Sequence, residues 1–183
     1  MAEQTFTSGQ ILTAAQMTTL QTNSGLCFVS STTIGSAQTS VTVSSAFSTT
    51  YDNYLVLISG GVASTNNAMN LTLGATTTGY YSSGFYQSLT SSTINDTNTN
   101  NGSSFTSVAY GSTNALSGQI YLDNPFNAKR TMVSYQARGT STTYFVNQQN
   151  GMLDNATSYT AFTLAVSTGT VTGGTISVYG YRK

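Results

Sequence analysis

Five carboxylates, Glu3, Asp52, Asp96, Asp123 and Asp154, are the clearest acid–base groups in this 183-residue chain. A glycoside-cleaving pair would need two of them to converge in one cleft. They are scattered along the sequence, and nothing in their spacing brings two together. The chain has no histidine, so neither a Ser-His-Asp nor a Cys-His arrangement can form. Its single cysteine, Cys27, leaves no zinc ligand set and no intrachain disulfide. Within Leu26-Cys27-Phe28-Val29 that thiol reads as buried and inert. The stretch Asp96-Thr97-Asn98-Thr99-Asn100-Asn101-Gly102 resembles the opening of an oxygen-ligand calcium loop. Its glycine falls one position late, however, and its twelfth position is Ser107 rather than Glu. It is read as a flexible polar loop, and no metal or cofactor is expected.

A second group of residues could bind rather than react. Gly79-Tyr80-Tyr81-Ser82-Ser83-Gly84-Phe85-Tyr86 sets aromatics among Ser and Gly, the composition of adaptable binding loops. Tyr80, Tyr81, Phe85 and Tyr86 are therefore candidates for contact with a receptor, such as a host surface glycan, or with a sister subunit. The plainer reading is a strand pair whose aromatics pack inward or against a sister chain.

Composition narrows the field further. Charged residues are 5% of the chain, with 5 Lys+Arg balanced by 5 Asp+Glu, against about 25% in an ordinary soluble domain. Such a surface is wetted by hydroxyls and amides. Without a basic stripe, nucleic acid is not an expected partner. Lys129-Arg130 and Arg182-Lys183 read as solvated loop and tail charges. Glu3 and the lack of a basic n-region argue against a signal peptide. The apolar run Tyr54-Leu55-Val56-Leu57-Ile58 is too short to insert in a membrane. Disorder is a poor reading of a chain with 12 Tyr and 8 Phe. Leu, Ile, Val and Phe make up only about a fifth of the chain, near the lower edge for a globular core. Tyrosine must then supply buried area, with its hydroxyl reaching a partner.

The elements that would position these residues fall into two segments, 1–25 and 26–183. In the first, Leu12-Thr13-Ala14-Ala15-Gln16-Met17 holds a capping box between Thr13 and Gln16. Met17 and Leu20 follow at helical spacing, and Gly25 can end the element. This predicts one helix over about residues 14–23. It is too short to be stable alone in water, so it must dock on this domain, a sister chain or a larger assembly. From Leu26 onward the period becomes two. Val41/Val43, Met69/Leu71/Leu73, Ile120/Leu122, Phe162/Leu164/Val166 and Ile176/Val178 each read as a strand with one buried face. The 54–58 run, apolar on both faces, suits a central strand. Turn signals stand at Gly60-Gly61, Gly74, Gly79, Asn98–Gly102, Gly111, Gly118, Gly139, Gly151 and Gly173-Gly174, and Pro125 follows Asp123-Asn124 in a turn. About eight to ten strands without a second helical pattern predict an all-β antiparallel sandwich, jelly-roll-like, preceded by one short helix. Lys and Glu, the usual blockers of strand edges, are nearly absent, a hint of covering neighbours.

Three stretches carry a resemblance. Phe6-x-x-Gly9-x-x-Leu12-Thr13-Ala14-Ala15, followed by Met17 and Asn23, resembles the N-terminal segment of tailed-phage fibre-like proteins. Phe47-Ser48-Thr49-Thr50-Tyr51-Asp52-Asn53-Tyr54 is similar to a recurring element of phage structural proteins, notably those of aquatic bacteria and cyanobacteria. Gly173-Gly174-Thr175-Ile176-Ser177-Val178-Tyr179-Gly180-Tyr181-Arg182 resembles their closing strand. The resemblance implies a virion structural protein, assembled in the host cytoplasm, often a homotrimer, with a jelly-roll-like β domain. It also implies attachment to other virion proteins through the segment from residue 5 to 23, where Phe6, Leu12, Met17 and Leu20 are the docking residues. Large fibres of this kind carry a long shaft, whereas here the β pattern begins at Leu26. A short tail-fibre-like or adhesive appendage fits that length. A capsid decoration, cement or head-fibre protein is the alternative, and a carbohydrate-acting depolymerase is a third reading.

Overall fold

The computed structural model describes residues 7–22, 25–140 and 144–182. Phe6 and Asn23, expected in the docking segment, lie outside the described residues. The predicted helix is present as α1, Ala14–Thr22. The capping box that starts it is formed: Gln16 N–H donates to Thr13 Oγ1 at 3.3 Å, and Thr13 N–H donates to Gln16 Oε1 at 3.0 Å. These bonds satisfy two of the donors a helix start leaves free. Gly25 has φ +72°, a left-handed conformation that glycine adopts without a Cβ penalty. Its carbonyl accepts from Arg182 N–H at 2.8 Å, which ties the entry of the β domain to the chain's last strand.

Fourteen strands follow among the described residues, more than the eight to ten expected. They are β1 Leu26–Thr33, β2 Ser40–Val43, β3 Asn53–Ser59, β4 Val62–Ala63, β5 Asn67–Leu73, β6 Tyr80–Ser88 and β7 Ile94–Gly102. The second half adds β8 Phe105–Gly111, β9 Leu116–Asp123, β10 Thr131–Thr140, β11 Tyr144–Leu153, β12 Phe162–Val166, β13 Val171–Thr172 and β14 Thr175–Tyr181. All pairings are antiparallel. One run of eight strands reads β1-β14-β3-β9-β10-β11-β6-β7, and the sheet branches at β9, whose first residues also pair with β8. From β8 it continues through β5 and β12 to β2. The result is a sandwich-like all-β fold with an eight-strand layer, a four-strand layer and one short helix.

The apolar periods predict the inner faces correctly. Val41, Val43, Met69, Leu71, Leu73, Phe162 and Leu164 from the smaller layer form one buried cluster with Tyr54, Val56, Ile58, Ile120, Leu122, Ile176 and Val178 from the larger. Strand β3 is central, paired with β14 on one side and β9 on the other. Tyrosine does fill the core. Tyr54, Tyr80 and Tyr135 are fully buried, and each hydroxyl has a partner: Ser48 backbone for Tyr54, Leu73 N–H and Thr76 O for Tyr80, Gln149 Oε1 for Tyr135.

Several turn signals are not turns. Gly118, Gly139 and Gly151 lie inside β9, β10 and β11, and Asn98–Gly102, read as part of a flexible loop, is the second half of β7. Asn and Gly are poor strand formers by intrinsic preference, but pairing along the whole of β6 overrides that preference here. Gly60-Gly61 and Gly173-Gly174 are corners as expected, and they touch. Cβ atoms at Gly61 and Gly174 would meet the backbone carbonyls of Thr172 and Ser59 at 2.8 Å. Pro125 sits in a turn closed by Asn127 N–H on Asn124 O. Cys27 is half-buried rather than buried, and its thiol is hydrogen-bonded to Tyr51.

Among the described residues, no strand packs closely on helix α1. Leu12, Met17 and Leu20 are 45%, 44% and 37% exposed, and Ile11 before them is 88% exposed. Loss of the cap through Thr13→Ala should therefore weaken α1 by about 1 kcal/mol and leave the thermal unfolding of the β domain unchanged. Helical circular dichroism and the main melting transition, followed together, check both halves of that expectation.

Candidate interaction surface

A strand presents alternate residues to opposite faces, so the eight-strand layer has an outer face as well as a core face. Register defines its rows. One row runs Leu26, Tyr181, Asn53, Asp123, Met132, Met152, Tyr81 from β1 to β6. The next runs Phe28, Tyr179, Leu55, Tyr121, Ser134, Asn150, Ser83, Asn98. A third contains Leu57, Gln119, Gln136, Gln148, Phe85 and Asp96.

At the β1 side these rows build a small second apolar cluster. Leu55 points away from the main core yet is only 7% exposed. Its flanking neighbours in the register are Tyr179 and Tyr121. Phe28 and Tyr179 meet edge-to-face at 5.8 Å, and Tyr121 and Tyr181 stack at 6.4 Å. Burial, and then the adjacent Tyr121, push the Tyr181 hydroxyl above its ordinary pKa. The rings of this cluster still face water: Phe28 is 61% exposed and Tyr121 38%. The apolar second face of the 54–58 run is thus explained. It supports an aromatic ridge.

Beside the ridge lies an open depression of about 650 Å³ over β10, β11, β6 and β7, lined by Tyr81, Met132, Met152, Asn150, Asp123 and neighbouring hydroxyls. Asp123 is the carboxylate among its lining residues. The Asn53 amide, oriented to donate, reaches Asp123 Oδ1 at 3.2 Å. The other described carboxylates are engaged elsewhere or distant. Asp52 accepts from Asn127 Nδ2 at 2.9 Å, and Asp154 pairs with Arg130. Asp96 lies on β7, four strand positions from β9, or about 19 Å at the usual strand spacing. That exceeds the separation of a glycosidase pair, about 9.5 Å at most. The depression therefore offers aromatic faces, thioethers, amides, hydroxyls and one carboxylate. Among the described residues, Asp123 is the one carboxylate that lines it.

No family model, no curated protein and no solved structure matches this chain.

The expected contact residues separate by face. Tyr80 points inward and is fully buried. Tyr81 points outward into the depression. Phe85, also outward, is half-buried at a smaller crevice of about 210 Å³ between β6, β10 and β11. Tyr86 shares the Tyr80 side of the strand and is 45% exposed. Segment 80–86 is thus neither wholly core nor wholly surface. Phe28, Tyr121, Tyr179, Tyr181, Met132 and Met152 were not singled out from sequence. Their signal was an aromatic or Met at the wet positions of strands, as at Tyr121 between Ile120 and Leu122. The edges of the layer, β1 and β7, carry no Lys or Glu. Strand β1 is bulged between Phe28 and Ser30, a device that increases twist and blunts an edge.

Proposed function

We propose that this chain is a non-enzymatic structural protein of a tailed-phage particle, a short tail-fibre-like or adhesive component held through its N-terminal segment. One observation carries the reading: α1 is capped at its start, is too short to persist alone, and leaves its Met17 and Leu20, with Leu12 just before it, exposed. A helix of this kind supports a role as a docking peg for another protein. The resemblance of the residue 5–23 segment to fibre attachment segments agrees with it, as does a nearly uncharged surface.

The test is particle incorporation. Particles assembled with the full chain should carry it, and particles assembled with a chain lacking residues 1–25 should lose it while the truncated protein stays folded in the lysate. Equal incorporation of both forms would overturn the reading. The copy number measured on the same particles assigns the site: a number matching the tail's symmetry makes it a tail component, and one matching the capsid lattice makes it a head decoration protein.

A further inference from the structure

We propose that the outer face of the eight-strand layer is a contact between copies of this chain, with the aromatic ridge of one copy seated in the depression of the next. Three observations select a second copy as the occupant. First, size: eight strands at about 4.8 Å spacing and three register rows about 6.6 Å apart give a face of roughly 750 Å². That is close to the ~800 Å² per partner of a stable protein interface. Second, shape: a ridge built on Leu55 and a depression of about 650 Å³ stand side by side on one surface, so a two-fold contact can place the ridge of each copy over the depression of the other. Third, chemistry: the ridge brings phenol groups at Tyr121 and Tyr181, and the depression brings the Asp123 carboxylate and the Asn150 amide as acceptors. The ridge residues Leu26, Phe28, Leu55, Tyr121, Tyr179 and Tyr181 carry no charge, so the ion that seating them desolvates is Asp123, whose carboxylate can accept from the ridge phenols. Aromatic and Met enrichment with charge depletion is the composition of an interface centre.

Charge reversal on the full chain tests the seating. Phe28→Glu changes the ridge and Asn150→Lys changes the depression. Both side chains are exposed, so folding should survive, and thermal melting verifies it. The two positions are five strand steps apart within one copy, about 24 Å, so the new charges can meet only across an interface. Sedimentation velocity of the wild type should show an oligomer. Each single variant should weaken association about thirtyfold or more, the loss expected at an interface anchor, and the double variant should recover to within about tenfold of wild type. A wild-type monomer at ~100 µM, single variants that associate normally, or a double variant that fails to recover would each overturn the proposal. So would a monomer whose signals on this face respond to added oligosaccharide, which would reassign the face to a saccharide. The interface and the anchor fail separately: a chain that is monomeric yet still needs residues 1–25 to join the particle overturns only the interface.

Discussion

Phe105→Ala is expected to lower the stability of the domain by about 3–5 kcal/mol, the range for removing a fully buried aromatic ring. Phe105 opens β8 in the four-strand layer, opposite Leu71, and is 0% exposed. Its ring meets Tyr80 of β6 edge-to-face at 4.9 Å and Tyr135 of β10 at 6.5 Å. It thus joins the smaller layer to the part of the larger layer that lies beyond the branch at β9. The cavity left by alanine cannot close easily, because Tyr80 and Tyr135 are held by hydrogen bonds at their hydroxyls. For a chain of this size the loss corresponds to a fall in melting temperature of about 10 °C. Phe28→Ala, on the outer face, should cost far less and serves as the control. Urea unfolding of the two variants measures the difference. A Phe105→Ala loss below about 1 kcal/mol would mean that this ring does not couple the layers.

The second large effect is alkaline. Burial pushes the hydroxyls of Tyr80 and Tyr135 up to about 12 from an ordinary value of 10.0. A group whose folded pKa is raised contributes stability that is fully present below its unfolded pKa and is lost as pH rises toward the folded one. Between pH 10 and 12 the unfolded chain releases these protons and the folded chain retains them, so stability falls with pH. Each tyrosine contributes a slope of about 1.4 kcal/mol per pH unit, and the two together remove on the order of 5 kcal/mol across the window. That rivals the whole stability of an ordinary domain, about 5–15 kcal/mol. Cooperative unfolding is therefore expected above pH 10, with phenolate absorbance from these two residues appearing only as the fold opens. With no histidine in the chain, no side chain of that type titrates near neutrality. Tyr135→Phe should roughly halve the slope. It leaves Gln149 Oε1 with its Ser82 partner and Gln149 Nε2 with Asn147 Oδ1, so the buried polar network survives. A denaturation midpoint independent of pH from 9 to 12 would overturn the assignment.

The two predictions draw on different parts of the fold, and those parts were unequally legible. Val41/Val43, Met69–Leu73, Phe162–Val166 and Ile176/Val178 announce their strands because a side-chain period of two is a local property of extended backbone. The Thr13–Gln16 capping box is equally local and forms as expected. Strands β7 and β11 were not legible. Asn, Asp and Gly, poor strand formers, fill six of the nine positions of β7, and Asn, Gln and Gly fill residues 147–151 in the middle of β11; these stretches become strands because β6 and β10 pair with them. Asn147 and Gln149 are buried at 4% and 1% exposure. A sequence pattern reads such residues as wet, since amides are rarely buried without partners. Only the neighbouring hydroxyls and amides in space make their burial tolerable.

The outer face shows the same limit for the candidate site. Alternation determined that Tyr121, Tyr179 and Tyr181 lie opposite the core residues beside them, because that relation needs only adjacent residues on one strand. It could not determine that Phe28, near the start of the chain, would meet Tyr179, near its end, or that both would share a face with Leu55 and Tyr121. That meeting depends on the order β1-β14-β3-β9, and strand order arises from long-range pairing and loop closure, to which local periodicity is blind. The scarcity of charge, the absence of histidine, the strand faces and the helix start were therefore determined by the sequence itself. The position of the ridge, the depression beside it and the exposure of the helix's apolar side chains were decided only by tertiary structure, because each is a relation between residues far apart along the chain.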